Sequence, residues 1–360
     1  VHRRELIKQS ILAFNLVGVR HGIIANGFME AKRLPIQIAG IQSLIRRYQR
    51  FREPTLMVWD ECHHLASNSW SKIFHAFPNA FHIGLTASPI RLDGAGLGNY
   101  FQRIVHGPSV SWLIENGFLS KYKIFAPSKI DTRGLHSRMG DFLTEELSVL
   151  VDKPTITGDA IKHYRRLCDG KRAVVFCVSI EHSKHVVAQF NSCGIPAAHV
   201  DGETDVVLRD HEIKRFDRGE IKILSNVELF GEGFDLPAME AVIMLRPTQS
   251  LGMYIQQTGR VLRPAPGKEY AIIIDHAGNC ERHGLPDEER NWTLTTDKIY
   301  KKDGVLGQSV KICPSCFAAQ FSGRPVCLFC GYAFPVQSRE VAEKDGDLVE
   351  VNKEEFRKKR

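Results

Sequence analysis

"TLMVWDECHH", residues 55–64, is an apolar run that ends in two adjacent carboxylates and then two adjacent imidazoles. Leu56, Met57, Val58 and Trp59 read as a short buried strand of a parallel sheet, where apolar residues follow one another without alternation. Parallel sheets bind ligands at the carboxyl ends of their strands, which is where Asp60 and Glu61 fall. A strand that exits into Asp-Glu suits a Mg-nucleotide corner: the Asp holds Mg²⁺, generally through water, and the Glu orients the attacking water. Taken alone, such a pair is more often a solvated strand end. A zinc-hydrolase reading needs two histidines four apart on a helix, and adjacent His63 and His64 do not supply that spacing.

Similar runs recur on both sides of this stretch. Residues 21–25, 36–41 and 81–86 join 55–60 in a first block of short strands, and 173–178, 197–200, 221–226, 241–246 and 270–275 form a second. Each gap is long enough for a crossover helix, so the expected class is α/β, with two parallel-sheet domains. Residues 127–153 have weak periodicity and read as the interdomain connection. The expected layout is 1–126 for the first domain, 154–280 for the second, 281–310 as a connecting segment, 311–335 as a cysteine module and 336–360 as a charged tail.

The bulk numbers agree with this. The chain has 360 residues, 43% apolar and 25% charged, which suits two ordinary domains with an appendage. No apolar stretch reaches the roughly 18 residues of a membrane span, and the charged start Val1-His2-Arg3-Arg4-Glu5 is not a signal peptide. The net charge is +7, which permits a polyanionic partner without requiring one. Four of the nine cysteines form two tight pairs near the end, the pattern of a metal site in a reducing, cytoplasmic setting.

Three further polar clusters sit at strand exits. Thr86 and Ser88 in "TASP" put two hydroxyls beside the carboxylate corner, or simply cap a helix. "GEGFD", residues 231–235, offers Gly231 and Gly233 for close backbone approach and Asp235 as an acceptor; taken alone, such a stretch is more often a plain turn. "QQTGRVLR", residues 256–263, places Arg260 and Arg263 on one helical face, suited to a developing phosphate charge, with Gln256 and Gly259 beside them. An exposed basic helix would look the same in isolation.

In their order and spacing, "VHRREL", "IQSL", "DECH", "TASP", "VVFCVS", "GEGFD" and "QQTGRVLR" resemble the superfamily 2 helicases of the DEAD/DEAH-box kind. The likeness is to the DNA-directed branch found in bacteria and prophages, related to the repair helicase of TFIIH, and it covers roughly residues 1–280. It implies two RecA-like domains of the P-loop NTPase type. It also implies that Asp60 and Glu61 serve Mg²⁺ and water activation, and that His63 couples hydrolysis to the second domain through Gln256. By the same likeness Arg260 and Arg263 reach across the cleft, Thr86 and Ser88 link the two halves, and Gly233 and Asp235 belong to the fifth motif. His2, Arg3, Glu5, Gln42 and Ser43 would line a nucleic-acid path. Arg46, Arg47 and Arg50 in "IRRYQRFR" would extend it, since arginines interleaved with Tyr48 and Phe51 suit phosphates and stacking. The implied partners are ATP and DNA, with replication, repair and phage propagation all open as settings and no membrane involved.

One departure matters. A P-loop needs G-x-x-x-x-G-K-[ST], whose backbone amides cradle the phosphates. The only Gly-Lys pairs, Gly170-Lys171 and Gly267-Lys268, are followed by Arg172 and Glu269. The expectation is a chain truncated ahead of its first motif, with an incomplete first domain and little ATP turnover as it stands. An ATP-independent nucleic-acid adaptor and the motor part of a restriction enzyme are the alternative functions. Finally, Cys313-x2-Cys316, ten residues, and Cys327-x2-Cys330 read as a structural Zn²⁺ ribbon, with Gly331 at its second knuckle.

Overall fold

The runs at 173–176, 241–244 and 271–275 are buried on every residue because both faces of their sheet are covered. The structure, a computed structural model, describes residues 1, 4–89, 96–127, 130–138, 140–227, 239–295 and 310–335.

The first unit holds α1 (Arg4–Leu16), β1 (Gly22–Ile24), β2 (Gln37–Ala39), α2 (Ile41–Leu44), β3 (Leu56–Asp60), α3 (Asn68–Ala76) and β4 (Phe81–Leu85). β1 pairs with β2, and β3 with β4, both in parallel; Leu56 lies opposite Phe81 and Asp60 opposite Leu85. Trp59, Cys62, Leu65, Trp70, Ile73 and Phe77 make its core. Among the described residues only one face of β3 and β4 is covered, where two-sided burial was expected. Leu56, Val58, Phe81, Ile83 and Leu85 alternate outward and are 49 to 73% exposed.

The second unit begins with α4 (Val110–Glu115) and β5 (Tyr122–Phe125). A hairpin follows, β6 (Ser137–Arg138) and β7 (Asp141–Phe142), then α5 (Thr144–Val151) and α6 (Pro154–Cys168). The repeating part is β8 (Ala173–Phe176), α7 (Ile180–Ser192), β9 (Ala197–Val200), α8 (Val206–Asp217), β10 (Ile223–Asn226), β11 (Ala241–Met244), α9 (Leu251–Leu262), β12 (Ala271–Asp275) and α10 (Asn279–His283). Six strands form one parallel sheet in the order β5-β12-β11-β8-β10-β9. Val174, Phe176, Val242, Met244 and Ile273 face one core with α9. Ala173, Val175, Ala241, Ile243 and Ile274 face the other with α6 and α7. Helix starts are fixed locally: Ser179 caps α7, Asp205 caps α8, Ser250 caps α9, and Pro154 opens α6. The fold is the expected α/β arrangement.

Two placements differ from the sequence reading. β5 lies before residue 126 but pairs with β12 in the second sheet. It was not read as a strand because it is only four residues long and Lys123, stacked over Tyr270 next to β12, interrupts its apolar run. The described parts of 127–153, a stretch expected as a plain connection, fold onto the second unit, where Ile130, Phe142, Leu147 and Val151 pack with Val178. After α10 the chain returns to the first unit. Trp292 packs on the second core, Leu294 packs in the first, and the Gly98 amide donates to the Leu294 carbonyl at 2.8 Å. The cysteine module adds β13 (Val310–Ile312) and β14 (Ala319–Phe321), an antiparallel pair. Among the described residues no helix is long and apolar enough to cross a membrane.

Candidate nucleotide and metal sites

Asp60 ends β3, and Glu61 turns the chain with φ 52° and ψ 53°, in the left-handed region. For a residue with a β-carbon this costs about 1–2 kcal/mol, and the following turn holds it there. The His64 amide donates to the Glu61 carbonyl at 3.1 Å, and Cys62 and Leu65 are buried beneath. Gly84 on β4 makes room: a β-carbon there would lie 2.7 Å from Cys62 Sγ and 2.5 Å from the Phe101 ring. Burial, with the Glu61 carboxylate beside it, pushes the Cys62 thiol up to about 12, so it is an unreactive packing group.

This close approach sets His63 over the end of β4. Its Nδ1 lies 3.1 Å from Thr86 Oγ1 and 3.5 Å from Glu61 Oε2. The Thr86 hydroxyl donates to the Ser88 carbonyl at 2.9 Å and accepts the Ser88 amide at 3.1 Å. With its only proton committed, that hydroxyl is an acceptor toward His63, which assigns the His63 proton to Nδ1. Glu61, His63, Thr86 and Ser88 therefore form one connected chain.

The second-domain cluster lies on α9. Leu251, Tyr254, Gln257, Thr258, Val261 and Leu262 are its buried face, while Gln256, Gly259, Arg260 and Arg263 share the other. Both ends of α9 are pinned. Before it, Asp141 accepts from the Thr248 hydroxyl at 3.0 Å, the Gln249 amide at 2.8 Å and Arg246 at 3.4 Å. Asn279 accepts the Thr248 amide and donates to the Arg246 carbonyl, both at 3.0 Å. After it, the Lys268 ammonium donates to the carbonyls of Val261, Arg263 and Met239. Burial lowers Lys268 to about 8. The Gly267-Lys268 pair thus caps a helix, satisfying carbonyls that have no partner within it.

The expected nucleic-acid residues are placed variously. Gln42, Arg46 and Arg50 are exposed and Ser43 is buried. Arg47 pairs with Glu30 at 2.7 Å and Asn26 at 2.8 Å. His2, Arg3, Gly231, Gly233 and Asp235 lie outside the described residues.

Cys313, Cys316, Cys327 and Cys330 bring their sulfurs within 4.8 Å of one another, with Cys313–Cys330 and Cys316–Cys327 each at 3.6 Å. A tetrahedron of Zn–S bonds near 2.3 Å has S–S edges of about 3.8 Å, so the thiols fit such an ion. The two knuckles match each other. Phe317 and Gly331 each follow the second cysteine of a pair with positive φ, 63° and 75°. Their amides donate to the Cys313 and Cys327 carbonyls at 2.8 and 3.0 Å. Gly tolerates this φ; Phe317 is held to it, with its carbonyl accepting the Ala126 amide at 2.9 Å and its ring under Arg166. Ala318 bridges to Phe125, and Cys313, Ala318 and Cys327 join the core beneath α6.

Residues 1–91 match the family model for the type III restriction enzyme, res subunit, and residues 159–265 match the helicase conserved C-terminal domain. A 51.5 kDa protein of a Lactococcus phage is 32% identical over the whole chain and 77% of its own length. A proposed ATP-dependent helicase of Saccharomyces cerevisiae, IRC3, is 29% identical over 77% of this chain and 42% of its own. This chain belongs to the superfamily 2 helicases. Among solved structures, a fragment of a proposed HsdR subunit of a type I restriction enzyme from Vibrio vulnificus matches with a TM-score of 0.60 and 25% identity. That match covers 76% of this helicase and 54% of the fragment. The chain thus spans less than half of the yeast relative and about half of the HsdR fragment.

One polar chain in this helicase had no sequence signal. Asp201 Oδ2 accepts from His199 Nε2 at 3.0 Å, and His199 Nδ1 faces Ser183 Oγ at 2.7 Å. Ser183 contacts Ser225 Oγ at 2.6 Å, and Ser225 contacts Cys177 Sγ at 3.3 Å. Although it resembles a nucleophilic triad, Ser183 and Ser225 are fully buried and unreachable by substrate. The chain holds the exits of β8, β9 and β10 together. Asp201 Oδ1 also accepts the Thr204 hydroxyl and amide, both at 2.6 Å, and the Glu203 amide at 3.0 Å, shaping the loop before α8.

Proposed function

We propose that this helicase is the motor of an ATP-dependent DNA translocase. In this reading Asp60 holds Mg²⁺, which neutralises phosphate charge, and Glu61 orients the attacking water. Arg260 and Arg263 meet the developing charge from the second domain. His63, Thr86 and Ser88 carry the state of the site toward Gln256 and α9, while Gly231, Gly233 and Asp235 complete the second wall. Gln42, Arg46 and Arg50 track the DNA backbone, and His2, Arg3 and Ser43 serve the same path in this reading. The observation that carries this reading is the connected chain from Glu61 to Ser88. The restriction-enzyme relatives favour DNA over RNA, and they also support a second reading, the motor part of a restriction enzyme.

No G-x-x-x-x-G-K-[ST] run occurs in the sequence. The bare face of β3 and β4 is where a preceding Walker A unit would pack. Covering five half-exposed apolar side chains would stabilise that contact by roughly 5 kcal/mol. The four cysteines hold a structural Zn²⁺, which clamps the ribbon to the second domain. Nine cysteines without a disulfide, four of them in this cluster, suit a reducing compartment, the cytoplasm.

The deciding experiment is ATP turnover with and without single-stranded DNA, on this chain and on a form carrying an upstream Walker A unit. DNA-stimulated turnover in the longer form, abolished by Glu61→Gln, is expected. No turnover in either form, with zinc-dependent DNA binding retained, would instead favour an ATP-independent adaptor.

A further inference from the structure

α9 contains two glycines, each about 1 kcal/mol less favourable in a helix than alanine. A β-carbon at Gly259 would meet nothing within 4 Å. At Gly252, in the first turn, it would lie 3.1 Å from Ser88 Oγ and 3.6 Å from Ser88 Cβ. Ser88 belongs to the first unit and is 1% exposed. From this contact we infer that Gly252 is a positioning residue. It is where α9 rests on the first domain, and its missing side chain sets how closely the Gln256, Arg260 and Arg263 face can approach.

Both partners are locked, which makes the contact stiff. Gly252 cannot retreat easily, because Ser250 Oγ caps the Met253 amide at 3.2 Å and Asp141 and Asn279 hold the preceding loop. Ser88 cannot retreat without disturbing the Thr86 hydroxyl, which holds both its amide and its carbonyl and faces His63. A bulky side chain at 252 therefore presses on Ser88, then Thr86, then His63 and Glu61. Gly252, Gln256, Arg260 and Arg263 follow at steps of four, four and three, so this pressure acts at the head of the stripe that carries the arginines. The contact stands on geometry alone; its consequence for turnover rests on the motor reading above.

The first test uses the chain as it stands. The 3.6 Å spacing lies within the ~3.5–4.5 Å between β-carbons of a disulfide. S88C/G252C, oxidised and digested without reductant, should yield a peptide linking positions 88 and 252 that dithiothreitol separates. Neither single variant should yield it. Absence of that peptide, in a chain whose circular-dichroism melt matches the parent, overturns the contact. The second test uses a form that hydrolyses ATP. Gly252→Leu should lower kcat ~100-fold, the scale of a misplacement near 1 Å, with KM for ATP unchanged, and Gly252→Ala should give a smaller loss in the same direction. A loss confined to KM, or no loss, overturns the positioning role. Linkage without turnover in any form overturns the motor reading and leaves the contact standing.

Discussion

Mild acid should destabilise the second domain, because three of its histidines are buried as neutral rings. His182 lies under the start of α7, with its Nδ1 accepting the Val178 amide at 3.4 Å and Asp152 and His185 nearby. His276 packs 5.2 Å from the His163 ring. His283 Nε2 donates to the Thr248 carbonyl at 2.9 Å, with Arg282 and Arg290 close by. Burial lowers them to about 4, about 3 and about 4 respectively, and lowers His163 as well. The unfolded chain titrates these rings near 6.5, so below that pH it binds more protons than the folded chain. Stability is then complete above pH 6.5 and falls as the pH drops toward the folded values. At pH 5.5 each ring costs about 1.4 kcal/mol, roughly 4 kcal/mol for the three. That is a large part of the ~5–15 kcal/mol of a typical domain. Urea unfolding followed by circular dichroism at pH 7.5, 6.5 and 5.5 should show this fall, and His182→Leu should reduce it by about a third. A midpoint that stays constant over that range would refute the reasoning.

Tyr254 is fully buried on α9 and donates to the Gly284 carbonyl at 2.9 Å. Tyr254→Phe strands that carbonyl and should cost about 1–2 kcal/mol in urea unfolding, and an unchanged midpoint would count against the bond. Chelation should release one Zn²⁺ per chain, read with a metallochromic dye. Because Cys313 and Cys327 share the core beneath α6, it should lower the Tm of the second domain and not of the ribbon alone. Cys313→Ser should behave the same way, and an unaltered melt would show that the ribbon is only an appendage. Thr86→Ala removes the hydroxyl between His63 and Ser88. In a turnover-competent form it should abolish DNA stimulation while basal hydrolysis persists; intact stimulation would dismiss the connected chain as a coupling path.

Much of the fold was legible in the sequence. A parallel strand covered on both faces leaves a continuous apolar run, so β8, β11 and β12 stood out, as did the polar clusters that follow β3, β4, β10 and β11. β5 was hidden because it is four residues long and Lys123 interrupts its apolar run. The bare face of β3 and β4 was hidden for the opposite reason: Leu56 and Val58 are apolar whether or not anything covers them. Arg47 looked like a phosphate ligand because its stretch is basic, and Glu30, seventeen positions earlier, could not be paired with it by inspection. Lys268 was set aside as a failed phosphate loop, and only the end of α9 gives it a purpose.

By itself the sequence determined the α/β class, the Asp60-Glu61 corner, the arginine stripe and the thiol spacing, because each depends on residues adjacent in the chain or one helical turn apart. Only the tertiary structure decided that Thr86 joins His63 to Ser88, that Asp141 and Lys268 pin α9, that the ribbon shares a core with α6, and that Gly252 rests on Ser88. Those contacts close between segments far apart in the chain. Their energies come from the burial and packing that bring the segments together, and no local spacing records them.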